Sequence, residues 1–107
     1  PQEVALLDVK RGIKMFDKLG VKILGLVDNM SFFVGKDGRK YNIFGEGGVK
    51  KTAEEFKKEF LCEIPIDPQV GLSSDKGMPL VEEKPEHLIS KIYINLANKI
   101  KKIYLNL

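Results

Sequence analysis

The stretch Val21-Lys22-Ile23-Leu24-Gly25-Leu26-Val27-Asp28-Asn29-Met30-Ser31 decides the fold. Its apolar side chains fall on both faces of a period-two chain, interrupted by Lys22 and Gly25, and it stops abruptly in polar residues. A strand covered on both faces belongs as a rule to a parallel sheet flanked by helices. In such sheets ligands bind just beyond the carboxyl ends of the strands. Asp28-Asn29-Met30-Ser31 occupies that place, so Asn29 is the first candidate site residue. Its carboxamide carries both donors and acceptors, which suits the edge of a purine base. Asn is equally a chain-turning residue, and from spacing alone both readings stand.

Working outward, Gln2 to Leu19 reads as a helix with Ala5, Leu6, Val9, Ile13 and Phe16 on one face. Gly20 stands just past its end, where a left-handed residue stops a helix. After the central strand, two aromatic runs between Phe32 and Gly45 flank Lys36-Asp37-Gly38, which predicts a small β-hairpin. Gly45, Gly47 and Gly48 lead into a second helix over about Gly48 to Glu59, with Val49, Ala53, Phe56 and Phe60 as its buried stripe. Leu61 to Pro65 reads as a second strand, stopped by Pro65 and Pro68. A short helix over Pro68 to Asp75 ends at Gly77 and Pro79. The last helix runs from about Pro85 to Leu105, with Ile89, Ile92, Leu96, Ile100, Ile103 and Leu107 in its stripe.

This order implies two parallel strands joined by a crossover. Two such strands leave their outer edges unpaired and do not make a stable sheet alone. The predicted fold class is therefore α/β. Residues 1–107 are expected to form the C-terminal part of a doubly wound, mainly parallel sheet, with the hairpin as an excursion. Further strands upstream, a homodimer or a swapped assembly would cover the edges. A chain beginning at Pro1 without methionine fits a piece of a longer protein.

Composition narrows the function classes. Charged residues make up 31% and hydrophobic ones 43%, an ordinary soluble balance. No apolar run approaches the roughly 20 residues of a membrane helix, and no signal peptide is visible. Cys62 is the single cysteine, so an internal disulfide is impossible and a reducing, cytoplasmic setting is expected. The net charge of +3 reflects a mild lysine bias, and neither nucleic acid nor membrane is expected as a partner. Cys62 and His87 each lack the clustered ligands a metal site needs, and no nucleophile–base or paired-carboxylate constellation can be assembled. Catalytic and metal-binding residues are therefore expected to be absent. Gly45-Glu46-Gly47-Gly48-Val49-Lys50-Lys51-Thr52 fails the phosphate-loop pattern, because residue 50, directly before the Lys-Thr pair, is lysine and not glycine. It reads as a turn, or as a weak anion site at a helix start. Lys91, Lys99, Lys101 and Lys102 read as a solvated face. Ile64-Pro65-Ile66-Asp67-Pro68 ends the second strand and would share a crevice with Asn29 if the strands are neighbours.

Pro1–Val9, Asp28–Ser31, Asn42–Gly48, Glu63–Pro68 and Ser74–Pro79, in this order and spacing, resemble the C-terminal half of Mrp-type P-loop ATPases. These MinD-like proteins act as carriers or scaffolds in iron–sulfur cluster assembly. The resemblance implies a nucleotide-binding fold that dimerises around ATP and magnesium and serves apo iron–sulfur proteins. It also implies that Asn29 reads adenine, with Pro65, Ile66 and Asp67 forming the other side of the base pocket. The family's phosphate loop and magnesium ligands would lie upstream of Pro1, so this stretch alone should not hydrolyse ATP. Many relatives carry Cys-x-x-Cys where this chain has Phe33-Val34-Gly35-Lys36-Asp37-Gly38-Arg39. No thiolate stands there, so cluster binding in the family's usual manner is not expected. Two alternatives are a MinD-type partitioning ATPase, with the basic last helix as its membrane tail, and a non-enzymatic module binding anions or nucleic acid.

Overall fold

A computed structural model describes residues 2–42 and 47–107. The end of the predicted hairpin arm and the start of the glycine turn, residues 43–46, lie outside the described residues. Helix α1 spans Gln2–Lys18. Its chain reverses through paired bonds from Gly20 N to Asp17 O (3.2 Å) and from Val21 N to Phe16 O (2.9 Å), with Gly20 at φ +74°. This is the double closure that a left-handed residue after a helix permits.

Strand β1 covers Leu26–Asn29, shorter than the apolar run that announced it. Val21 to Gly25 runs into β1 without ladder pairing, and Val21 is exposed. Gly25 is required where it stands, since a Cβ there would lie 2.5 Å from the Leu61 side chain. The hairpin follows as β2 (Phe33–Val34) and β3 (Lys40–Tyr41), antiparallel, as predicted. Gly38 at φ +78° turns its tip, and Tyr41 donates its hydroxyl to Asp37 Oδ2 at 2.7 Å.

Helix α2 spans Gly48–Glu55 and stops four residues before the predicted end. Lys57 takes the left-handed conformation at φ 57°, and Lys58 N donates back to Ala53 O at 2.8 Å. That turn frees Phe60, predicted as part of the helix stripe, to open strand β4 (Phe60–Ile64) opposite Leu26. Helix α3 (Pro68–Asp75) is as predicted, while the single turn α4 (Leu80–Glu83) was not anticipated. Helix α5 spans Leu88–Leu105, so Pro85 precedes it rather than filling its first turn.

β1 and β4 pair in parallel, Asn29 lying opposite Ile64. α2 packs on both strands and on α1, and α5 packs on β4 and α4. Besides the buried Ile13, Ala53 and Leu61, the core holds a cluster of Ile64, Leu80 and Ile89, with Val27, Cys62, Val70, Ile92 and Leu96 against it. Two serines at 0% exposure are satisfied inside it: Ser73 donates to Glu83 Oε2 at 2.7 Å, and Ser90 to Lys84 O at 2.6 Å. The α1 stripe is only partly covered, with Ile13 buried but Phe16 exposed. The accessible surface is 7928 Å², against about 6,000 Å² for a compact monomer of this mass. The radius of gyration is 15.4 Å, against about 13 Å for a compact domain of this length. The surplus is about twice the area that one partner contributes to a standard protein interface.

Register also sets Asp28 beside Glu63, and Lys40 of the hairpin reaches Glu63 Oε2 at 3.4 Å. Burial first, then the Glu63 charge, push the Asp28 carboxyl above its ordinary value, with Lys40 opposing. A raised carboxyl is a stability cost present while it is ionised and relieved as pH falls through its folded value. Asp28→Asn should therefore raise the melting temperature at pH 7, the gain shrinking as pH falls toward the ordinary value of 3.8. In urea unfolding, Ile89→Ala is expected to lose about 2–5 kcal/mol. Exposed Ile94→Ala should lose less than about 1 kcal/mol.

Candidate functional site

Pairing of the two strands does not stop where the strands do. Past Asn29, Ser31 N donates to Ile64 O at 3.0 Å, and Ile66 N donates to Phe32 O at 2.7 Å. Two backbone bonds thus join the segment after β1 to the segment after β4. Asn29 and Pro65–Asp67 are thereby brought to one end of the sheet, as two neighbouring lips.

Asn29 is exposed, and its Oδ1 accepts from Met30 N at 3.0 Å. Met30 takes φ 55°, a left-handed conformation uncommon for a non-glycine residue. The turning role read from the sequence is therefore present. It uses one acceptor site of the carboxamide, and the amide group and a second lone pair remain for a ligand. Below the lip, Ser31 Oγ is buried with no hydrogen-bond partner among the described residues, a burial that costs about 1–3 kcal/mol.

The opposite lip is stiffer. Pro65 is buried, and Ile66 and Asp67 are half-buried. Asp67 caps α3, its Oδ1 accepting from Gln69 N at 2.8 Å, with Pro68 in the first turn. Its other oxygen, Oδ2, lies 3.5 Å from His87 Nε2. One carboxylate oxygen is thus committed to the helix cap and the other faces the imidazole. His87, read from the sequence only as lacking metal-ligand neighbours, caps α5: its Nδ1 accepts from Ile89 N at 3.1 Å. The signal was weak, because Ser, Thr, Asp and Asn are the usual caps and imidazole is not.

The hairpin is fastened to the same end of the sheet. Lys40 Nζ sits 4.3 Å from the centroid of Phe32 while reaching Glu63. Phe33 and Tyr41 stack at a tilt, 6.2 Å apart, and both are exposed together with Val34. The hairpin carries no cysteine. Cys62 lies in the middle of β4, its thiol pushed up by burial. Among the described residues it belongs to no group of three or more His, Cys, Asp or Glu side chains able to hold a metal. Lys99, predicted to be part of a solvated face, instead donates to Leu61 O at 2.6 Å. Gly47 caps α2 through its left-handed backbone, without a side-chain cap.

Comparison with known proteins gives the arrangement a lineage. Residues 1–101 match the family model described as ParA: NUBPL iron-transfer P-loop NTPase. The chain is 43% identical over 104 residues to an iron–sulfur cluster carrier protein of Saccharolobus solfataricus, covering 96% of this chain and 35% of that protein. It is 44% identical over 103 residues to an Arabidopsis thaliana iron–sulfur protein required for NADH dehydrogenase, mitochondrial, covering 95% of this chain and 33% of that one. The cell-division ATPase MinD of Pyrococcus furiosus superposes with a TM-score of 0.69 at 28% identity, covering 92% of this chain and 38% of that structure. The chain therefore spans about a third of the length of these proteins. It belongs to the ParA family of P-loop NTPases, in its NUBPL iron-transfer branch.

Proposed function

We propose that this chain is the base-recognising and subunit-contacting part of an ATP-dependent iron–sulfur cluster carrier. The observation that carries the reading is the bonded pair of lips, Asn29 on one side and Pro65–Asp67 on the other. A planar base fits between a carboxamide edge and a proline-stiffened backbone, and adenine offers a donor and acceptor edge to the Asn29 amide. The P-loop NTPase family implies a nucleotide with magnesium. The 107 residues hold no Gly-x-x-x-x-Gly-Lys-Ser/Thr run, so phosphate and magnesium binding, and hydrolysis, belong to a complete domain.

The carrier reading draws on relatives at 43% and 44% identity, against 28% for MinD. The cargo would be a cluster handed to apo iron–sulfur proteins in the cytoplasm. The hairpin does not fit a cluster shared between subunits, since its tip reads Gly35-Lys36-Asp37-Gly38 with no thiolate. Its exposed Phe33, Val34 and Tyr41 suit an apolar subunit contact in a homodimer. Among the described residues no helix is long and apolar enough to cross a membrane.

Adenosine titrated into the 107-residue chain tests the base site without phosphates. Asn29→Ala should weaken adenosine binding about fivefold or more, about 1 kcal/mol or more. Equal affinity of the variant would remove Asn29 from the site.

A further inference from the structure

The starts of α3 and α5 are 20 residues apart in sequence, yet their caps meet: Asp67 Oδ2 and His87 Nε2 are 3.5 Å apart. Each residue caps its own helix with one atom and faces the other cap with the second. Because His87 Nδ1 accepts from Ile89 N, the proton of the neutral ring sits on Nε2, the atom beside the carboxylate. Asp67 ends the lip that begins at Pro65, so the imidazole bears on that lip from behind. The contact is sheltered, with 25% and 32% of the two side chains exposed. α5 is itself anchored in the core through Ile89 and Ser90.

We infer that His87 is a positioning residue for the base site, holding the Asp67 carboxylate so that the Pro65–Asp67 lip keeps its place opposite Asn29. This rests on the base-binding reading above. The coupling runs from the core through α5 and His87 to the lip, and it requires no contact between His87 and the ligand. Cap and link are separable by chemistry. A serine at position 87 still accepts from the Ile89 amide, as serine caps do, but has nothing to reach Asp67. Alanine loses both.

The test compares the wild-type chain with His87→Ser and His87→Ala, reading adenosine affinity by amide shifts and melting temperature by circular dichroism. His87→Ser should melt as the wild type does and bind adenosine about three- to tenfold more weakly. His87→Ala should show the same loss and melt about 4–8 °C lower. Proton–nitrogen spectra of the wild-type ring should show Nε2 protonated and Nδ1 as acceptor. Wild-type affinity in His87→Ser, or a ring protonated on Nδ1 instead, overturns the positioning role while leaving the base site intact. Wild-type chain that fails to bind adenosine overturns the base site itself, and the positioning role with it.

Discussion

The two backbone bonds beyond the strand ends, Ser31 N to Ile64 O and Ile66 N to Phe32 O, are the constraint on which the site depends. Side chains at the end of a sheet are placed only as well as the backbone under them. In-register pairing of β1 with β4 would by itself bring Asn29 opposite Ile64. The two further bonds carry that alignment into the loops, where the chains would otherwise be free to part. Proline at 65 and the α3 cap at Asp67 then stop the second loop from turning away. A buried hydroxyl without a partner, that of Ser31, sits inside this join among the described residues.

Much of this was legible in the residues. A doubly apolar run followed by Asp28-Asn29 marked a parallel strand and its carboxyl end. Asp37-Gly38 between aromatic runs marked the hairpin, and Asp67-Pro68 gave the start of α3 to the residue. Other features were set by tertiary context that one chain's pattern does not carry. Val21 to Leu24 is apolar enough for a strand, yet pairing begins at Leu26, because β4 itself begins at Phe60. The left-handed turn at Lys57 shortened α2, and no glycine announced it. The His87 cap went unread because capping by imidazole leaves no composition signal. Lys99 looked solvated because nothing in its spacing shows that Leu61 O lies within its reach.

The same physics explains why the molecule looks unfinished. Leu19, Val21 and Phe16 are exposed, as are Tyr104 and Leu105 on α5. The chain spans about a third of its relatives' length. Family membership thus accounts for the fold and its open surface. The hairpin tip reads Gly35-Lys36-Asp37-Gly38, without a cysteine.

The central claim is that a base enters between two lips joined beneath by backbone bonds. Mapping the backbone amides that move as adenosine is added tests this most directly. The account predicts that Asn29, Met30, Ser31, Ile66 and Asp67 shift together, from both strand ends at once. Shifts confined to the groove of about 400 Å³ lined by Cys62, Asn95 and Lys99 would contradict it. So would shifts confined to the opposite end of the sheet, around Val21 and Lys58.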